Sequence, residues 1–457
     1  MYFLCEFCIF IGLTLLRLSF PKDPNMKTPK ETLTTTAAAA TVGLSIARSA
    51  YAAGDDLIKI GLVGCGGRGL GAALNALGSN GGTMNIKLVA LGDAFKNMVD
   101  RAAQLLTDEF PTKVDIPEER RFAGLDCCDR VLDTDIDVIL LCEPPGFRPR
   151  HFVKAVEAGK HVFAEKPVAT DAPGVRMFME AGKKAKKETI ICVGHHLRFE
   201  EKHVESIRRI HAGELGRLLY TRIFFNSDGV WVRPRSESQT EMQHQVTNWY
   251  YFNWLSGDHI VEQHVHDIDV MNWICGDSHP LEANGMGGRA VRIGPNYGEI
   301  FDHHTVEYTF ADGVKGFSNC RHIPNCWTAF SEHAYCADGH VDMDGHGEVK
   351  MYKRGNDEPI AKWGRPIDGH QTEMDVMFDT IANGKEMNLT ERGGIATLTS
   401  ILGRMASYSG QRVTWEQAYN SNYDIFPKSL AWDADPGPKP GPDGIYPCAM
   451  QGVTKEW

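Results

Sequence analysis

The chain has 457 residues, of which 42% are hydrophobic and 23% are charged, and its formal net charge at pH 7 is −11. A chain of this length can bury more than one hydrophobic core, so we expect two domains. The acidic balance argues against nucleic acid, or a membrane in the mature form, as a partner, because phosphate groups are bound by basic surfaces. It does not favour a strongly acidic substrate either.

Residues 1–53 are interpreted as a leader that is not part of the fold. Met26 provides a second possible start, and a small apolar stretch then leads to Ala50-Tyr-Ala52, which fits an A-x-A cleavage site. We therefore expect a signal peptide and export to the periplasm or a similar space, with a cytoplasmic protein as the alternative. A disordered tail rich in alanine and threonine is the competing interpretation. The layout resembles a twin-arginine leader that lacks the arginine pair.

A glycine-rich turn follows the first strand pattern of the mature chain. Residues 58–63 have the apolar character of a buried strand, residues 70–77 have a helical pattern, and the glycines between them are spaced G-x-G-x-x-G. The first glycine permits a tight turn, the second lets the backbone approach a pyrophosphate, and the third allows the helix to pack closely. The start of the helix offers free N–H groups to phosphates. We expect dinucleotide contacts from Gly64, Gly66, Gly67, Arg68 and Gly69.

An acidic residue ends the second predicted strand. The strand covers residues 86–91 and is followed by Gly92 and Asp93, so a carboxylate stands where the 2′-hydroxyl of a bound ribose would lie. The interval from the glycine turn exceeds the usual gap of about twenty residues, and the glycine-rich loop at 79–83 accounts for the excess. Asp93 favours NAD as the cofactor over NADP.

Helix and strand patterns alternate as far as residue 193. The helical patterns cover 97–110, 150–158 and 173–186, and the strand patterns cover 137–142, 160–164 and 190–193. Such alternation is typical of a doubly wound parallel sheet, which we assign to residues 54–195. Because parallel strands end at one edge of the sheet, Glu143, Lys166 and His195 are expected to converge near the glycine turn.

Strand patterns dominate the second half, residues 196–457, which we interpret as an α+β domain for substrate binding and oligomerisation. The strand patterns cover 217–225, 283–293, 304–310, 314–320 and 334–337, and the helical ones cover 201–212, 257–274, 374–383 and 394–410. We expect an open, mostly antiparallel sheet backed by the helix at 257–274. An exposed sheet face suits a homo-dimer or homo-tetramer. The tail at 436–446 is rich in proline and glycine and is expected to wrap over a surface.

The ordered set of motifs resembles the Gfo/Idh/MocA family, which includes glucose-fructose oxidoreductase and inositol dehydrogenase. Besides the glycine turn and Asp93, the set comprises C-E-P-P at 142–145, A-G-K-H-V-F-A-E-K-P at 158–167 and E-Q-H-V-H-D-I-D at 262–269. The similarity extends from about residue 58 to about residue 412. In the family, the lysine of E-K-P lies beside the nicotinamide and the substrate hydroxyl, which implies this role for Lys166. The family's D-x-x-x-H pattern, with a further aspartate three residues later, corresponds to Glu262, His266 and Asp269.

The chemistry of hydride transfer agrees with these positions. Oxidising a sugar hydroxyl requires a group that takes its proton while hydride moves to the nicotinamide. We expect His266 to be the general base and Lys166 to polarise the same oxygen. Glu262, placed four residues before His266 on one helix face, is expected to orient it or to bind another hydroxyl. Further expected contacts are Glu143, Pro144, Glu165 and Lys166 to the cofactor and His195, Arg198 and Asp269 to the substrate. Family members usually carry a small residue and a histidine at the positions of Glu143 and Arg148.

Three classes of function remain open from the sequence. The first is an NAD(P)-dependent oxidoreductase acting on a sugar, polyol or sugar derivative. The alternative is a glycoside hydrolase that keeps its NAD bound and cleaves by oxidation, elimination and re-reduction, although the G-G-H-G-G loop of such relatives is missing. The third is a non-catalytic sugar-binding module.

Two further groups of residues have competing interpretations. Histidines 259, 264, 266, 303 and 304, with Glu262 and Asp267, could bind zinc or iron, but the redox cofactor already explains the site, so we expect no metal. The aromatic residues between Trp231 and Trp254 could stack on sugar rings or pack in a core. The twelve cysteines do not form a disulfide or zinc-binding pattern.

Overall fold

The first sheet of the computed structural model is parallel and has six strands. The structure describes residues 57–364 and 368–457, so the expected leader lies outside the described residues. The strands are β1 (Ile58–Val63), β2 (Ile86–Asp93), β3 (Arg121–Ala123), β4 (Val138–Leu141), β5 (His161–Ala164) and β6 (Ile191–Val193). Their order is β3-β2-β1-β4-β5-β6, and every neighbouring pair is parallel. The direction of winding therefore reverses between β1 and β4, where such sheets bind ligands.

Helices cover both faces of this sheet. They are α1 (Gly67–Leu77), α2 (Lys96–Glu109), α3 (Cys127–Leu132), α4 (Arg148–Glu157) and α5 (Ala172–Lys184). Each helix connects two consecutive strands, as parallel strands require a crossover connection. Because helices lie on both faces of the sheet, the apolar residues of the strands are buried on both sides. Their alanines allow close packing, since Ala72, Ala73 and Ala76 of α1 are fully buried.

The second sheet has nine strands and is mostly antiparallel. The strands are β7 (Leu218–Ser227), β8 (Glu282–Gly288), β9 (His303–Thr309), β10 (Lys315–His322), β11 (Ala329–Cys336), β12 (Gly339–Asp344), β13 (Val349–Lys353), β14 (Ala361–Trp363) and β15 (Val413–Thr414). Their order is β14-β13-β12-β11-β7-β10-β9-β8-β15. Only β7 and β10 pair in parallel among these described strands. Alternating burial along β10 shows that one face of the sheet is covered.

Helices of the second half pack on both sheets. They are α6 (Glu201–His211), α7 (Glu241–Thr247), α8 (Asn253–Ser256), α9 (His259–Glu262), α10 (Val265–Ile274), α11 (Gly369–Ala382), α12 (Thr390–Ser409) and α13 (Trp415–Tyr419). Met374, Met377 and Phe378 of α11 lie in the core of the first sheet with the alanines of α1. Helix α12 is buried along most of its length and packs with α5 against the second sheet. The proposed domain boundary at residue 195 stays a prediction.

The predicted fold class is confirmed, with two local corrections. The segment 257–274 is not one helix, because α9 ends at Glu262 and the N–H of His266 bonds to the carbonyl of Gln263 instead of continuing the α-helical pattern. Glu262 and His266 therefore do not share a helix face. The strand predicted at 283–293 ends at Gly288, because the N–H groups of the next residues donate to Asp302 Oδ2, at 2.7 Å from Ala290 and 2.6 Å from Val291.

No helix in the described ranges is long and apolar enough to cross a bilayer.

The cysteines from Cys65 to Cys448 are all free thiols, and most of them are buried. Burial explains them as small apolar core residues.

The packing of α1 on the glycine turn can be tested with two glycine-to-alanine variants. A Cβ at position 69 would lie 1.7 Å from the carbonyl oxygen of Gly64, whereas a Cβ at position 67 would meet no atom within 4 Å. We expect Gly69→Ala to lower the free energy of unfolding by about 1–3 kcal/mol, because α1 or the turn must shift. The matched control Gly67→Ala should stay within about 1 kcal/mol of wild type. Urea denaturation compares them, and equal midpoints would contradict the packing.

Candidate active site

The glycine turn has the shape that a pyrophosphate requires. Gly64 has φ +92°, and a Cβ there would lie 2.4 Å from the backbone nitrogen of Glu143, so only glycine fits. Around Gly66 and Gly67 a Cβ would meet nothing within 4 Å, so the turn leaves open space there. Gly66 is the N-cap of α1 and has no side chain to bond the first N–H groups. Those N–H groups are free for an anion, so the turn fits the phosphates of a dinucleotide.

A cavity of about 320 Å³ opens at this turn. One wall comes from the first sheet and includes the turn itself together with Asp93, Phe95, Glu143, Pro144, Phe147 and His151. The opposite wall comes from the chain after β7 and includes Trp231, Arg233, Val246, Thr247 and Trp249. Of the first wall, the sequence predicted the glycine turn, Asp93, Glu143 and Pro144. It marked Trp231 and Trp249 only as aromatic residues that could stack on a sugar or pack in a core, since only the fold brings residues 231–249 to the end of β2.

Asp93 is held in the cavity wall by backbone hydrogen bonds. Its Oδ2 accepts from the N–H of Cys65 at 2.8 Å, and its Oδ1 accepts from the N–H of Phe95 at 2.9 Å. Burial raises the pKa of Asp93, although both N–H groups oppose that effect. The carboxylate is thereby aimed at the cavity, where it could accept hydrogen bonds from ribose hydroxyls.

The end of β4 contributes Glu143, which is buried beside the cavity. Glu143 Oε1 lies 3.1 Å from His151 Nδ1, while Oε2 has no hydrogen-bond partner among the described residues. Arg148 is also buried and donates to the carbonyl oxygens of Glu143 and Pro167. Arg148 therefore ties the chain after β4 to the chain after β5.

Arg68 of α1 binds two carboxylates. It donates through Nε to Glu165 and through Nη2 to Glu373 of α11 at 3.1 Å, and both glutamates are buried. Burial disfavours both charges, but attraction to Arg68 and Lys166 nevertheless lowers the pKa of Glu165 to about 2. Burial raises the pKa of Glu373 to about 8, because one guanidinium cannot fully compensate two buried charges. Glu165 is thus ionised and Glu373 is protonated at neutral pH.

The predicted catalytic residues Lys166, Glu262 and His266 lie together beyond the end of β5. Lys166 Nζ donates to the carbonyl oxygen of Glu262 at 2.6 Å and to its Oε1 at 3.2 Å. His266 lies near enough for the Lys166 cation to act on it, and its Nδ1 is buried without a hydrogen-bond partner in the described part of the chain. Burial, and next the Lys166 cation, lowers the pKa of His266 well below its ordinary value of 6.5. The imidazole is therefore neutral at pH 7 and able to accept a proton.

Two histidines that the sequence did not single out join this cluster. The ring of His196 lies 4.8 Å from that of His266 in an edge-on arrangement, and 4.1 Å from that of His370. His196 follows β6 and stands next to the predicted His195 in the stretch Gly194-His-His196. That position at a strand end was the only local sign in the sequence that His196 could belong to the site. His370 lies in the first turn of α11, far away in sequence, and no motif marked it.

The predicted substrate contacts His195, Arg198 and Asp269 pair with one another. Arg198 Nε lies 2.5 Å from Asp269 Oδ2, and His195 Nδ1 lies 3.4 Å from Asp269 Oδ1. Arg198 and Asp269 line a second cavity, of about 290 Å³, together with Asn272 and Arg392. None of the three lines the dinucleotide cavity, so contact with a substrate stays a prediction for them.

The histidines of the metal alternative are divided between separate clusters. Asp258, His259 and His304 present atoms within 4.8 Å of one another that could ligate a metal. Asp258 already accepts hydrogen bonds, from the Tyr408 hydroxyl at 2.5 Å and from the Phe301 N–H at 2.9 Å. His264 is bonded to Asp267 and Ser318. These histidines belong to the hydrogen-bonded core of the second sheet, whereas His266 lies with Lys166.

The parallel sheet with its glycine turn, joined to a second open sheet, defines a protein of the dinucleotide-binding Rossmann class. Residues 58–195 match the model of the Gfo/Idh/MocA family, described as an oxidoreductase family with an NAD-binding Rossmann fold. The resemblance that the motifs had indicated is thus confirmed for residues 58–195.

Two curated relatives illustrate the similarity. The scyllo-inositol 2-dehydrogenase (NAD(+)) of Bacillus subtilis is 26% identical over 48% of this chain and 54% of its own length. The 2,7-anhydro-N-acetylneuraminate hydratase of Mediterraneibacter gnavus is 27% identical over 41% of this chain and 48% of its own length. The chain thus spans about half the length of the curated relatives it matches.

Solved structures share the fold over about four fifths of the chain. The aldose-aldose oxidoreductase from Caulobacter crescentus, complexed with glycerol, has a TM-score of 0.62 and 18% identity over 79% of this chain and 100% of that one. The levoglucosan dehydrogenase complexed with NADH and levoglucosan has a TM-score of 0.62 and 16% identity over the same fractions. At such identity the likeness concerns the fold.

The two glutamates that bind Arg68 should respond differently to replacement by glutamine. Glu165→Gln removes the ionised partner and should lower the free energy of unfolding at pH 7 by about 2 kcal/mol. Glu373→Gln mimics the protonated acid and should cost little. Because folded Glu373 keeps its proton up to a pKa of about 8, the contribution of Glu373 to the stability of wild type should decline between pH 4.5 and 8, and Glu373→Gln should gain stability relative to wild type over that range.

The same linkage has the opposite sign for Glu165. Its pKa of about 2 lies below the ordinary 4.5, so its contribution is complete above pH 4.5 and is lost as the pH falls toward 2. Thermal melts of both variants and wild type from about pH 2 to about pH 8 measure these trends. A loss at pH 7 that is equal for the two variants would contradict the assignment of charge.

Proposed function

We propose that the chain is an NAD(P)-dependent oxidoreductase that transfers hydride between the nicotinamide and a hydroxyl-bearing carbon of a sugar, polyol or sugar derivative. The observation that carries this proposal is the joint placement of Lys166, Glu262 and the neutral imidazole of His266 beyond the dinucleotide cavity. The relatives named as sugar and polyol dehydrogenases support it. Asp93, with its carboxylate in the cavity wall, favours NAD.

The residues of the chain supply the proton chemistry and the positioning. When bound, the nicotinamide accepts or returns the hydride. In the tautomer with its proton on Nδ1, His266 presents Nε2 to take the proton of the substrate hydroxyl. The ammonium of Lys166 donates a hydrogen bond to the same oxygen and stabilises the negative charge that develops there. Glu262 holds Lys166 in place through two hydrogen bonds.

Redox-assisted elimination or hydrolysis is the second candidate. The likeness to a hydratase favours it, since that relative is named for adding water to an anhydro sugar acid and is still similar to this chain. The same three residues would serve, because transient oxidation at a ring carbon makes the neighbouring C–H acidic and His266 or Lys166 could then move that proton.

One experiment separates these candidates. Purified protein is incubated with polyols, aldoses and glycosides while nicotinamide absorbance and released sugar are both followed. A net change in absorbance supports the oxidoreductase, and release of sugar without a net change supports the second candidate. Absence of both with every substrate would contradict the two proposals.

Removal of the base or the lysine should slow the chemistry far more than it weakens cofactor binding. We expect His266→Ala and Lys166→Met each to lower kcat by a factor of about 10²–10⁴, the usual contribution of one acid–base group. The controls Lys154→Met and His346→Ala change exposed residues of the same types and should behave like wild type. Initial rates together with dinucleotide titration measure this, and turnover retained in both site variants would refute the assigned roles.

The pH dependence of turnover should reveal the lowered pKa of His266. Because burial and Lys166 disfavour the imidazolium, the base stays neutral and active below pH 6.5. We expect kcat/KM to be constant from pH 8 to pH 6.5 and to fall only when more acid is added. Rate profiles in buffers of constant ionic strength measure this. An acid limb centred at or above pH 6.5 would show that His266 is not the base or is not desolvated.

A further inference from the structure

The second wall of the dinucleotide cavity belongs to a segment whose role the proposed function does not explain. We name residues 228–252, which follow β7 and include α7, the cover segment. It brings Trp231, Arg233 and Trp249 to the cavity opposite Asp93 and Phe95. A Rossmann sheet binds its dinucleotide with the ends of its own strands, so a wall from the second half of the chain is an addition to that site.

The cover segment is fixed in place by side-chain packing and hydrogen bonds. The rings of Trp231 and Trp249 lie 5.9 Å apart, edge to face. The backbone N–H of Arg233 donates to Asn248 Oδ1 at 2.9 Å, and the hydroxyl of Tyr251 donates to the carbonyl of Val230 at 3.2 Å. The two ends of the segment therefore hold each other, which gives the wall a defined shape before any ligand arrives.

The C-terminal tail supports the cover segment from outside. Gln245 Nε2 donates to the carbonyl of Pro438 at 2.8 Å, and Thr240 donates to the carbonyl of Trp432. The ring of Trp432 also lies 5.5 Å from the ring of Phe95, in the first wall. The tail thus connects the two walls of the cavity beside Asp93.

Arg233 places a positive charge at this cavity. Its guanidinium lies 4.6 Å from the centre of the Trp231 ring, and it forms no ion pair with any carboxylate in the part of the chain that the structure describes. The Arg233 cation is near enough to Asp93 to act on its pKa, in the direction opposite to burial. An arginine that is exposed, stacked on an indole and directed to a cavity suits an anionic group, above all a phosphate.

We propose that the cover segment is part of the cofactor site, with Arg233 binding a phosphate of the dinucleotide and Trp231 and Trp249 enclosing its adenosine half. This inference rests on the proposed function, which supplies the dinucleotide. The phosphate is either the pyrophosphate that NAD and NADP share or the 2′-phosphate of NADP beside Asp93. The positive charge of Arg233 then offsets the repulsion between the Asp93 carboxylate and the 2′-phosphate of NADP, so it affects the preference for NAD over NADP.

Calorimetric binding of NAD⁺, NADP⁺ and adenosine by the whole protein tests the proposal without relying on turnover. We compare wild type with Arg233→Ala, Arg233→Lys and the matched control Arg354→Ala, which removes an exposed charge after β13 that does not line the cavity. Arg233→Ala should raise the Kd of a dinucleotide about tenfold and leave that of adenosine unchanged. Arg233→Lys should recover part of the loss, and the control should match wild type.

The outcomes distinguish the possible contacts. An equal loss for NAD⁺ and NADP⁺ places the guanidinium on the pyrophosphate, and a greater loss for NADP⁺ places it on the 2′-phosphate; both support the proposal. Unchanged dinucleotide affinity in Arg233→Ala, or an equal loss for adenosine, overturns it. A wild-type protein that binds neither dinucleotide overturns the proposed function as well, whereas normal wild-type binding with an indifferent Arg233 overturns this inference alone.

The enclosing role of the indoles has a separate measurement. Release of NADH from the protein is followed by its fluorescence after mixing with excess NAD⁺. Trp231→Ala should increase the dissociation rate several-fold, because it opens one wall, while the melting temperature should change little since Trp231 is 39% exposed. A dissociation rate identical to that of wild type would show that the cover segment does not enclose the cofactor.

Discussion

The site depends on the close approach of α1 to the end of β1. Gly69 lies so near the carbonyl of Gly64 that no side chain fits between them, and Gly64 in turn lies against the backbone of Glu143 after β4. These contacts bring the start of a helix and the ends of two strands to one point, where the order of the parallel sheet reverses. The free N–H groups at that point, and the cavity around them, exist because glycine alone tolerates the contacts.

The charge of Arg68, paired with two buried glutamates, holds the elements around the glycine turn together. Arg68 leaves α1 and pairs with Glu165 after β5 and with Glu373 of α11, so one guanidinium connects three elements that are distant in the chain. Because both carboxylates are buried, only one of them can be ionised at low cost. Glu165 precedes Lys166 directly, and its position therefore helps to set where the lysine leaves the strand. Lys166 is then held by Glu262, at the junction between α9 and α10.

Desolvation gives the catalytic cluster its chemistry. His266 is half-buried, with its Nδ1 inaccessible to solvent, beside a lysine cation, and desolvation and the cation both favour the neutral imidazole. A neutral base next to an ammonium group is the arrangement that proton removal from a hydroxyl requires, with the ammonium left to stabilise the resulting oxygen. The break at residues 263–264 matters here, because it lets Glu262 bond Lys166 while His266 occupies a separate helix.

The sequence alone determined the parallel sheet, its glycine turn and the positions of Asp93, Lys166 and His266. Continuous apolar runs, strand-end motifs and glycine spacing are patterns of neighbouring residues, so they can be recognised without knowing the distant contacts. It did not determine β12–β14, which are short strands of three to six residues, nor the break between α9 and α10, which depends on backbone hydrogen bonds. Only the tertiary structure decided that Arg198 pairs with Asp269, that His370 approaches His196, and that Trp231 and Arg233 face Asp93. Each of these pairs joins residues that are separated by dozens of positions in the chain, so no periodic pattern in the sequence records them.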